Sequence, residues 1–213
     1  MLTRPLFARS LAALAIAFVG LSALPAHATV MVELAMEQLI GSADVIVHAR
    51  VLRSGTQLET FAGHLEPHTI TELEVRDTLK GSPDERVTID EIGGATDDGG
   101  SWIDGTPRYE AGDEVVVFLR RLPSAAYRTV GMSQGRFEVV HAIATSAGAP
   151  IARTIVERDT RTLAFASWID GQMVVHDGAQ SPSVDYDTFV GFVASVLDQL
   201  AIPSDPRTTG GPR

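Results

Sequence analysis

Residues 44–53 read DVIVHARVLR, and this stretch indicates the fold class. Its apolar side chains alternate with polar ones, which is the period of a β-strand with one buried face. A second segment, EVVVFL at residues 114–119, is apolar without interruption after its first residue and predicts a strand covered on both faces. The two patterns predict a mainly β protein. The side chains expected to face the core from the first strand are Val45, Val47, Ala49 and Val51.

Six more segments have the alternation or the β-branched composition of strands. They are residues 69–79, 86–92, 127–130, 136–143, 151–157 and 163–169. In the first of these segments, Leu73, Val75 and Leu79 are expected to share one face. Residues 54–67 and 93–107 are rich in polar residues or glycine and are interpreted as loops.

Two helices are expected, one at each end of the folded part. Residues 31–40 (MVELAMEQLI) have helical apolar spacing, and Gly41 follows as a stop. Residues 185–200 (DYDTFVGFVASVLDQL) place apolar side chains on one stripe, with Ser183 or Asp185 as the N-cap. This second helix is expected to lie on the sheet. The stripe consists of Phe189, Val193, Val196, Leu197 and Leu200.

The N-terminus has the pattern of an export signal. Residues 1–28 carry Arg4 and Arg9, then an apolar run, then a small-x-small cleavage site. Residues 29–202 are expected to form one domain, and residues 203–213, which lack large apolar side chains, a disordered tail. The sequence contains no cysteine, so neither a disulfide nor a lipoprotein anchor is available. We expect an exported protein, periplasmic or extracellular, with no membrane span after cleavage.

The charge balance restricts the class of partner. The formal net charge is −10, and an acidic chain repels nucleic acid and anionic lipid. Phosphate-binding functions are therefore disfavoured, and no cofactor is expected.

The segment GMSQG, residues 131–135, matches the G-x-S-x-G pattern of a serine-hydrolase nucleophile elbow. An elbow needs a helix directly after the serine, whereas residues 136–140 (RFEVV) alternate like a strand. The interpretation favoured here is a turn between strands. A hydrolase centred on Ser133 stays the third hypothesis, because His141 and His176 lie downstream as possible bases.

Two groups of residues have metal-ligand chemistry. His64 and His68 are four residues apart, which on a helix would face one metal, but Pro67 disfavours a helix and indicates solvated loop histidines. Asp97 and Asp98, together with neighbouring carboxylates, are interpreted as a solvated acidic loop. Calcium binding there stays an open alternative. The other carboxylates are Asp90, Glu91 and Asp104.

The pentapeptide SWIDG occurs twice, at residues 101–105 and 167–171. Asp-Gly is a strong hairpin signal, so both copies are expected to enter hairpin turns. The alternative is a pair of aromatic ligand sites at Trp102 and Trp168.

Three short motifs, in this order and spacing, resemble netrin-like domains, including the tissue inhibitors of metalloproteinases. They are SADVIVHARV at residues 42–51, LKG at 79–81 followed by VTI at 87–89, and GDE at 112–114. A group of exported bacterial proteins is similar in layout. The resemblance implies an OB-type barrel of five strands that binds with one face and the adjacent loops.

The resemblance also implies a mode of inhibition that this chain does not match. The inhibitors bind the protease zinc through an N-terminal cysteine clamped by disulfides, whereas this mature chain would begin at Thr29. Without a disulfide, docking would order a free segment at about 1–2 kcal/mol per residue.

The leading hypothesis is a non-enzymatic, exported OB-like domain that binds a protein partner and has no metal of its own. A secreted metalloprotease is the candidate partner. A small-molecule or glycan-binding module is the alternative, and the oligomeric state stays open. The expected contact residues are Thr29, Val30, His64, His68, Asp97, Asp98 and Trp102.

Overall fold

The computed structural model describes residues 30–201 apart from residues 62, 98, 147, 148 and 162. The expected signal peptide, Thr29, Asp98 and the expected tail lie outside the described residues. No helix in the described part is both long and apolar enough to cross a membrane. The helices are α1 (Met36–Ser42), a 3₁₀ helix (Met132–Gly135) and α2 (Tyr186–Ala201). The strands are β1 (Val30–Val32), β2 (Val45–Phe61), β3 (His64–Lys80), β4 (Arg86–Thr96), β5 (Gly99–Trp102), β6 (Glu114–Arg121), β7 (Tyr127–Thr129), β8 (Arg136–Ser146), β9 (Ala149–Glu157), β10 (Ala164–Ile169), β11 (Gln172–Asp177) and β12 (Val184–Asp185).

Five strands close into a barrel. β2 pairs antiparallel with β3 and with β6, β3 pairs antiparallel with β4, and β6 pairs antiparallel with β7. The ring closes where β7 pairs parallel with β4, at Tyr127 and Ile89. The order around the ring is therefore β2, β3, β4, β7, β6, which is an OB-type barrel. The prediction of a mainly β protein with an OB-like closed barrel is confirmed.

The barrel interior is filled by the alternating residues of its strands. The inward face of β2 is the one that the DVIVHARVLR pattern predicts, and all of its residues are buried. β6 is buried on both faces, as predicted, because Val116 and Phe118 pack under the helices instead. Burial of one such Val or Leu side chain contributes about 1.5–3 kcal/mol. The interior cluster includes Val45, Val47, Ala49, Val51, Leu73, Val87, Ile89, Val115, Val117 and Leu119.

A second core lies outside the barrel, where α1 and α2 cover β2, β6, β8 and β9. Asp185 caps α2, since its Oδ1 accepts the backbone N–H groups of Asp187 and Thr188. The predicted helix on the sheet is confirmed. Leu200 is the exception on the predicted stripe, because it is 57% exposed near the helix end. This outer core includes Leu39, Ile40, Ile46, Val116, Phe118, Phe137, Phe189, Val193 and Val196.

The N-terminal prediction was wrong in its boundaries. Residues 30–32 form strand β1, which pairs parallel with β10, and α1 begins only at Met36. β10 also pairs with β11, so these three strands form a small separate sheet. The helical spacing of residues 31–40 is a local signal, and pairing with a distant strand overrides it for the first residues.

The prediction that residues 54–67 and 93–107 form loops was also wrong in part. β2 and β3 continue as a paired hairpin through most of residues 54–67, and β5 pairs with the end of β4 inside residues 93–107. These strands escaped prediction because neither face of the hairpin extension packs on a core, so no apolar alternation marks them.

The expectation that Leu79 shares a face with Leu73 and Val75 was wrong. His48 pairs with Asp77 but Ala49 pairs with Val75, so Arg76 is the extra residue of a β-bulge. A bulge shifts the alternation by one residue. Leu79 is the extra residue of a second irregularity, because Ile46 pairs with Lys80 and Val47 with Thr78, and it packs on the outer core rather than inside the barrel.

The two SWIDG copies have different structures. In the second, Asp170 and Gly171 form the two-residue turn between β10 and β11, both with positive φ, as predicted. In the first, a turn links Ile103 to Thr106, but no strand follows directly. The hairpin prediction is therefore correct for the second copy and wrong for the first.

Candidate functional site

A groove of about 710 Å³ opens beside the first SWIDG copy. Residues 102–108 form one side, and the 3₁₀ helix with the start of β8 forms the other. This volume is in the range of ligand sites. Its charged lining residues are Asp104, Arg108, Glu110, Asp113, Arg136, Glu138 and Asp159.

Trp102 and Arg108 form a platform at the edge of the groove. The Arg108 guanidinium carbon lies 4.9 Å from the centre of the Trp102 ring, which is a cation–π distance. Trp102 remains 42% exposed. The predicted contact residue Trp102 therefore lies at a concave site, held in place by a stacked arginine.

Arg136 ties the floor of the groove to the barrel. Its Nη2 donates to Asp113 Oδ2 at 2.9 Å, and its guanidinium lies 5.6 Å from the ring of the buried Tyr109. Tyr109 in turn contacts Thr129 Oγ1 through its hydroxyl at 2.6 Å. These contacts connect a solvated groove to the buried wall of the barrel, so the groove has a rigid base.

Ser133 lies at the rim of the same groove, but its hydroxyl is engaged by the backbone. Its Oγ donates to the Gly105 carbonyl at 2.7 Å, and its N–H donates to the same oxygen at 2.9 Å. The residues after Gly135 continue as strand β8, as predicted. His141 bonds to Glu114, and His176 contacts Ser167. The described residues therefore show neither imidazole in contact with the serine.

The GMSQG segment is where the chain leaves the barrel wall. β7 and β8 pair with successive parts of the same edge of β6, and the 3₁₀ helix interrupts them. Gly131 has a φ of 66°, and a Cβ at Gly135 would lie 2.2 Å from the Val130 carbonyl oxygen. Both glycines of the pattern are therefore required by this excursion. Gln134, in this segment, holds the N-terminal strand in place. Its Oε1 accepts the Leu34 N–H, and its Nε2 donates to the Val32 carbonyl.

A polar cluster occupies the outer face of β3 and β4. His68 Nδ1 and Asp90 Oδ1 are 2.6 Å apart, and both residues are buried. Glu59 from the hairpin extension completes a group whose ligand atoms lie within 4.8 Å of one another. In OB barrels this face, on the second and third strands, is the usual binding face. A cation here would compete with Arg128, whose Nη2 lies 3.8 Å from Asp90 Oδ1.

This cluster corrects the interpretation of the histidine pair. His68 is a buried strand residue with a carboxylate partner, not a solvated loop residue, whereas His64 is exposed at the start of β3. The acidic residues that the structure describes do not converge either. Asp90 faces outward while Glu91 points into the barrel, and Asp97 is exposed in the turn before β5.

Glu91 is a buried carboxylate in the barrel wall. Its Oε1 accepts the backbone N–H of Thr129 at 2.8 Å. Burial raises the pKa of Glu91, and this effect outweighs the bonds from Thr129 and the nearby Arg128 charge. Burial, reinforced by Glu91, also raises the pKa of Tyr109.

A chain of polar side chains that the sequence did not suggest crosses β2, β6 and β8. Glu114 bonds to His48 at 2.7 Å and to His141 at 3.0 Å, and Tyr186 OH lies 3.1 Å from His48 Nδ1. Burial raises the pKa of Glu114, but the bonds from both histidines outweigh it and lower the pKa overall. Burial also raises the pKa of Tyr186 to about 12. Only the pairing register of the strands could have predicted these contacts, because it brings together residues that are distant in sequence.

The predicted contact residues do not form a single site. Among those described, Trp102 lies at the groove, His68 on the outer barrel face, and Val30 in the small sheet. Val30 does not line the groove, although the sulfur of its neighbour Met31 lies close to Gly105, which does. Comparisons with family models, curated proteins and solved structures found no match for this chain.

Proposed function

We propose that this chain is a non-enzymatic, exported binding domain that holds a protein partner in the groove beside Trp102. The observation that carries this proposal is the arginine-stacked Trp102 at the edge of a concave, charged site. Tryptophan and arginine are enriched among residues that dominate binding energy at protein interfaces. A ring already held by Arg108 would lose little conformational freedom when a partner covers it.

The charges of the groove indicate the chemistry of the partner. Its lining carries five carboxylates and two guanidiniums, and Arg136 is already paired with Asp113. Glu110 and Glu138 are exposed and face solvent at the rim. A complementary partner would therefore present a basic segment, because opposite charges accelerate association and exclude wrong partners.

A secreted metalloprotease is the specific partner that the netrin-like resemblance suggests. Two contacts support it by restraining the N-terminal segment without a disulfide. β1 pairs with β10, and Gln134 bonds to the backbone on both sides of Glu33. Because these residues are ordered before docking, the entropy loss expected for a free segment is reduced.

The two SWIDG tryptophans provide a matched pair of variants. Trp102→Ala removes the groove platform, whereas Trp168→Ala removes a ring that is 76% exposed on the β10–β11 hairpin. We expect wild-type protein and Trp168→Ala to capture the same partner from the exported fraction, and Trp102→Ala to lose it. Capture by all three proteins, or by none across salt conditions, would refute the groove as the binding site.

The metalloprotease assignment has a separate test. The captured partner is assayed for zinc-dependent proteolysis with and without the wild-type domain. Inhibition relieved by Val30→Asp supports the assignment, since Val30 is half exposed at the start of β1. A partner without protease activity, or one inhibited equally by the variant, would refute the metalloprotease assignment and leave groove binding intact.

Glycan binding is the second candidate, and the exposure of Trp168 favours it. A sugar stacks on a free aromatic face, and Trp168 offers more exposed surface than Trp102. If this candidate is correct, a sugar quenches the fluorescence of wild-type protein and of Trp102→Phe, but not of Trp168→Phe. No quenching by a panel of sugars eliminates it.

A further inference from the structure

A second cavity, of about 380 Å³, lies between the start of α2 and strands β8, β9 and β12. It is separate from the groove and shares no lining residue with it. Pockets of this size with a mostly apolar lining and few polar groups are typical of small-molecule sites. Its apolar lining consists of Met36, Phe137, Val156, Pro182, Val184, Phe189 and Phe192.

One charged side chain lines this cavity. Arg158 follows β9, and its guanidinium carbon lies 5.4 Å from the centre of the Phe137 ring. Its Nε and Nη1 atoms are buried and have no hydrogen-bond partner among the described residues. A guanidinium stays protonated in proteins, so these two N–H groups carry positive charge into an apolar setting.

Arg158 is partly exposed as a whole, but burying these two N–H groups without an acceptor is unfavourable unless something satisfies them. Burial lowers the pKa of Arg158, and the charge of Glu33 opposes that effect only partly. Glu33 does not form an ion pair with Arg158 in the described structure, although it lies 3.8 Å from His176 Nε2. The free-energy deficit at Arg158 is therefore one that a bound anion would relieve.

We propose that this cavity binds a small carboxylic acid with an apolar body, the carboxylate pairing with Arg158 and the body filling the space between Phe189 and Val156. The two components of the site match the two components of such a ligand. A carboxylate oxygen can accept a charge-assisted N–H bond from Nε or from Nη1, and bonds of this kind are the strong ones. The two atoms lie on opposite edges of the guanidinium, so one carboxylate satisfies one of them. The aromatic and aliphatic walls bury the remainder of the molecule.

The rim of the cavity provides an entry. Phe192 is 40% exposed at the open side of α2, one turn from the buried Phe189. Saturated fatty acids of six to twelve carbons are suitable probes, since each added methylene that still fits should tighten binding about fourfold. The gain should stop at the chain length that fills the cavity. The proposal does not depend on the groove or on a protein partner.

The experiment is calorimetric titration of the full mature protein with these acids, kept below their micelle concentrations, and with the alcohols of equal length. We expect one site per chain and at least tenfold tighter binding of the acid than of the alcohol. Arg158→Gln should bind the acid at least tenfold more weakly than the wild type does, while its affinity for the alcohol should be unchanged. Arg161→Gln is the matched control, because Arg161 is exposed, pairs with Asp159 and does not line the cavity.

Phe192→Ala is the second variant, in case Arg158→Gln alters folding. It should weaken acid and alcohol equally, because it removes apolar contact and leaves the guanidinium in place. No binding of any acid by the folded wild type would overturn the proposal. Equal affinities for acid and alcohol, or tightening that continues without limit with chain length, would overturn it as well.

Discussion

The Lys80 ammonium group, at the end of β3, caps the C-terminus of α1 at the Ile40 carbonyl. Its Nζ donates to the Ile40 carbonyl at 2.7 Å and to the Ala43 carbonyl at 2.5 Å. Lys80 is the only lysine of the chain. A cation at a helix C-terminus interacts favourably with carbonyls that have no partner in the helix. The LKG motif is therefore structural, because it joins the end of β3 to the helix before β2.

Lys80→Met is expected to lower the free energy of unfolding by about 1–2 kcal/mol, because it removes charge-assisted bonds to half-buried carbonyls. Urea denaturation followed by circular dichroism measures this loss. Arg76→Met is the control, since Arg76 is exposed in the β3 bulge, where it pairs with Glu74. A loss of equal size in both variants would contradict the capping assignment.

Gly81, the next residue of the motif, is expected to tolerate no side chain. Its φ is +81°, and a Cβ there would lie 2.6 Å from the Asp44 carbonyl oxygen. Gly81→Ala should therefore destabilise the protein by at least about 1–2 kcal/mol. Gly55→Ala provides the comparison, because Gly55 lies in the β2 extension with open space around it and should be neutral or slightly stabilising. Equal melting temperatures for the two variants would be inconsistent with this account.

The raised pKa of Glu91 predicts that the stability of the protein depends on pH. The pKa of Glu91 is higher in the folded protein than in the unfolded chain. The resulting contribution of Glu91 to stability is fully present below the unfolded pKa and is lost as pH rises through the folded pKa. Glu91→Gln keeps an acceptor for Thr129 N–H without the charge. The variant should therefore become more stable than wild type as pH rises above the ordinary range of a glutamate. Melting temperatures measured from pH 4 to pH 8 test this, and a difference that does not change with pH would contradict it.

Ser133 is expected to be structural. A fluorophosphonate reagent should not label the folded protein, because the Ser133 hydroxyl donates to the Gly105 carbonyl instead of to a base. Ser133→Ala should cost about 0.5–1.5 kcal/mol of stability, the usual contribution of one hydrogen bond. Labelling of wild type that is absent from Ser133→Ala would restore the hydrolase hypothesis.

The parts of the fold that the sequence predicts are those where burial leaves a local pattern. Residues 44–53 alternate because one face of β2 fills the barrel, and residues 115–119 are all apolar because β6 is covered on both faces. β1 could not be predicted in this way, because its partner β10 lies more than a hundred residues away. The irregularities at Arg76 and Leu79 also depend on pairing, and they place Leu79 away from the face of Leu73.

The candidate site was predictable only through Trp102. The groove itself depends on how the first SWIDG copy packs on Ser133 and Met31, which no short motif encodes. The His68–Asp90 contact likewise comes from the register of β3 against β4. The four-residue spacing of His64 and His68 could not reveal this contact, because spacing along the chain is informative for helices but not for cross-strand neighbours.

The most direct measurement of the central claim is the affinity of the captured partner for a charge-reversed groove. Glu110→Lys with Glu138→Lys should weaken binding at least tenfold and reduce its dependence on salt, because both carboxylates line the groove. Glu37→Lys with Glu85→Lys changes the net charge equally at exposed positions away from the groove and should leave binding nearly unchanged. Equal affinities for the two double variants would contradict the proposal that this groove recognises a basic segment of a protein partner.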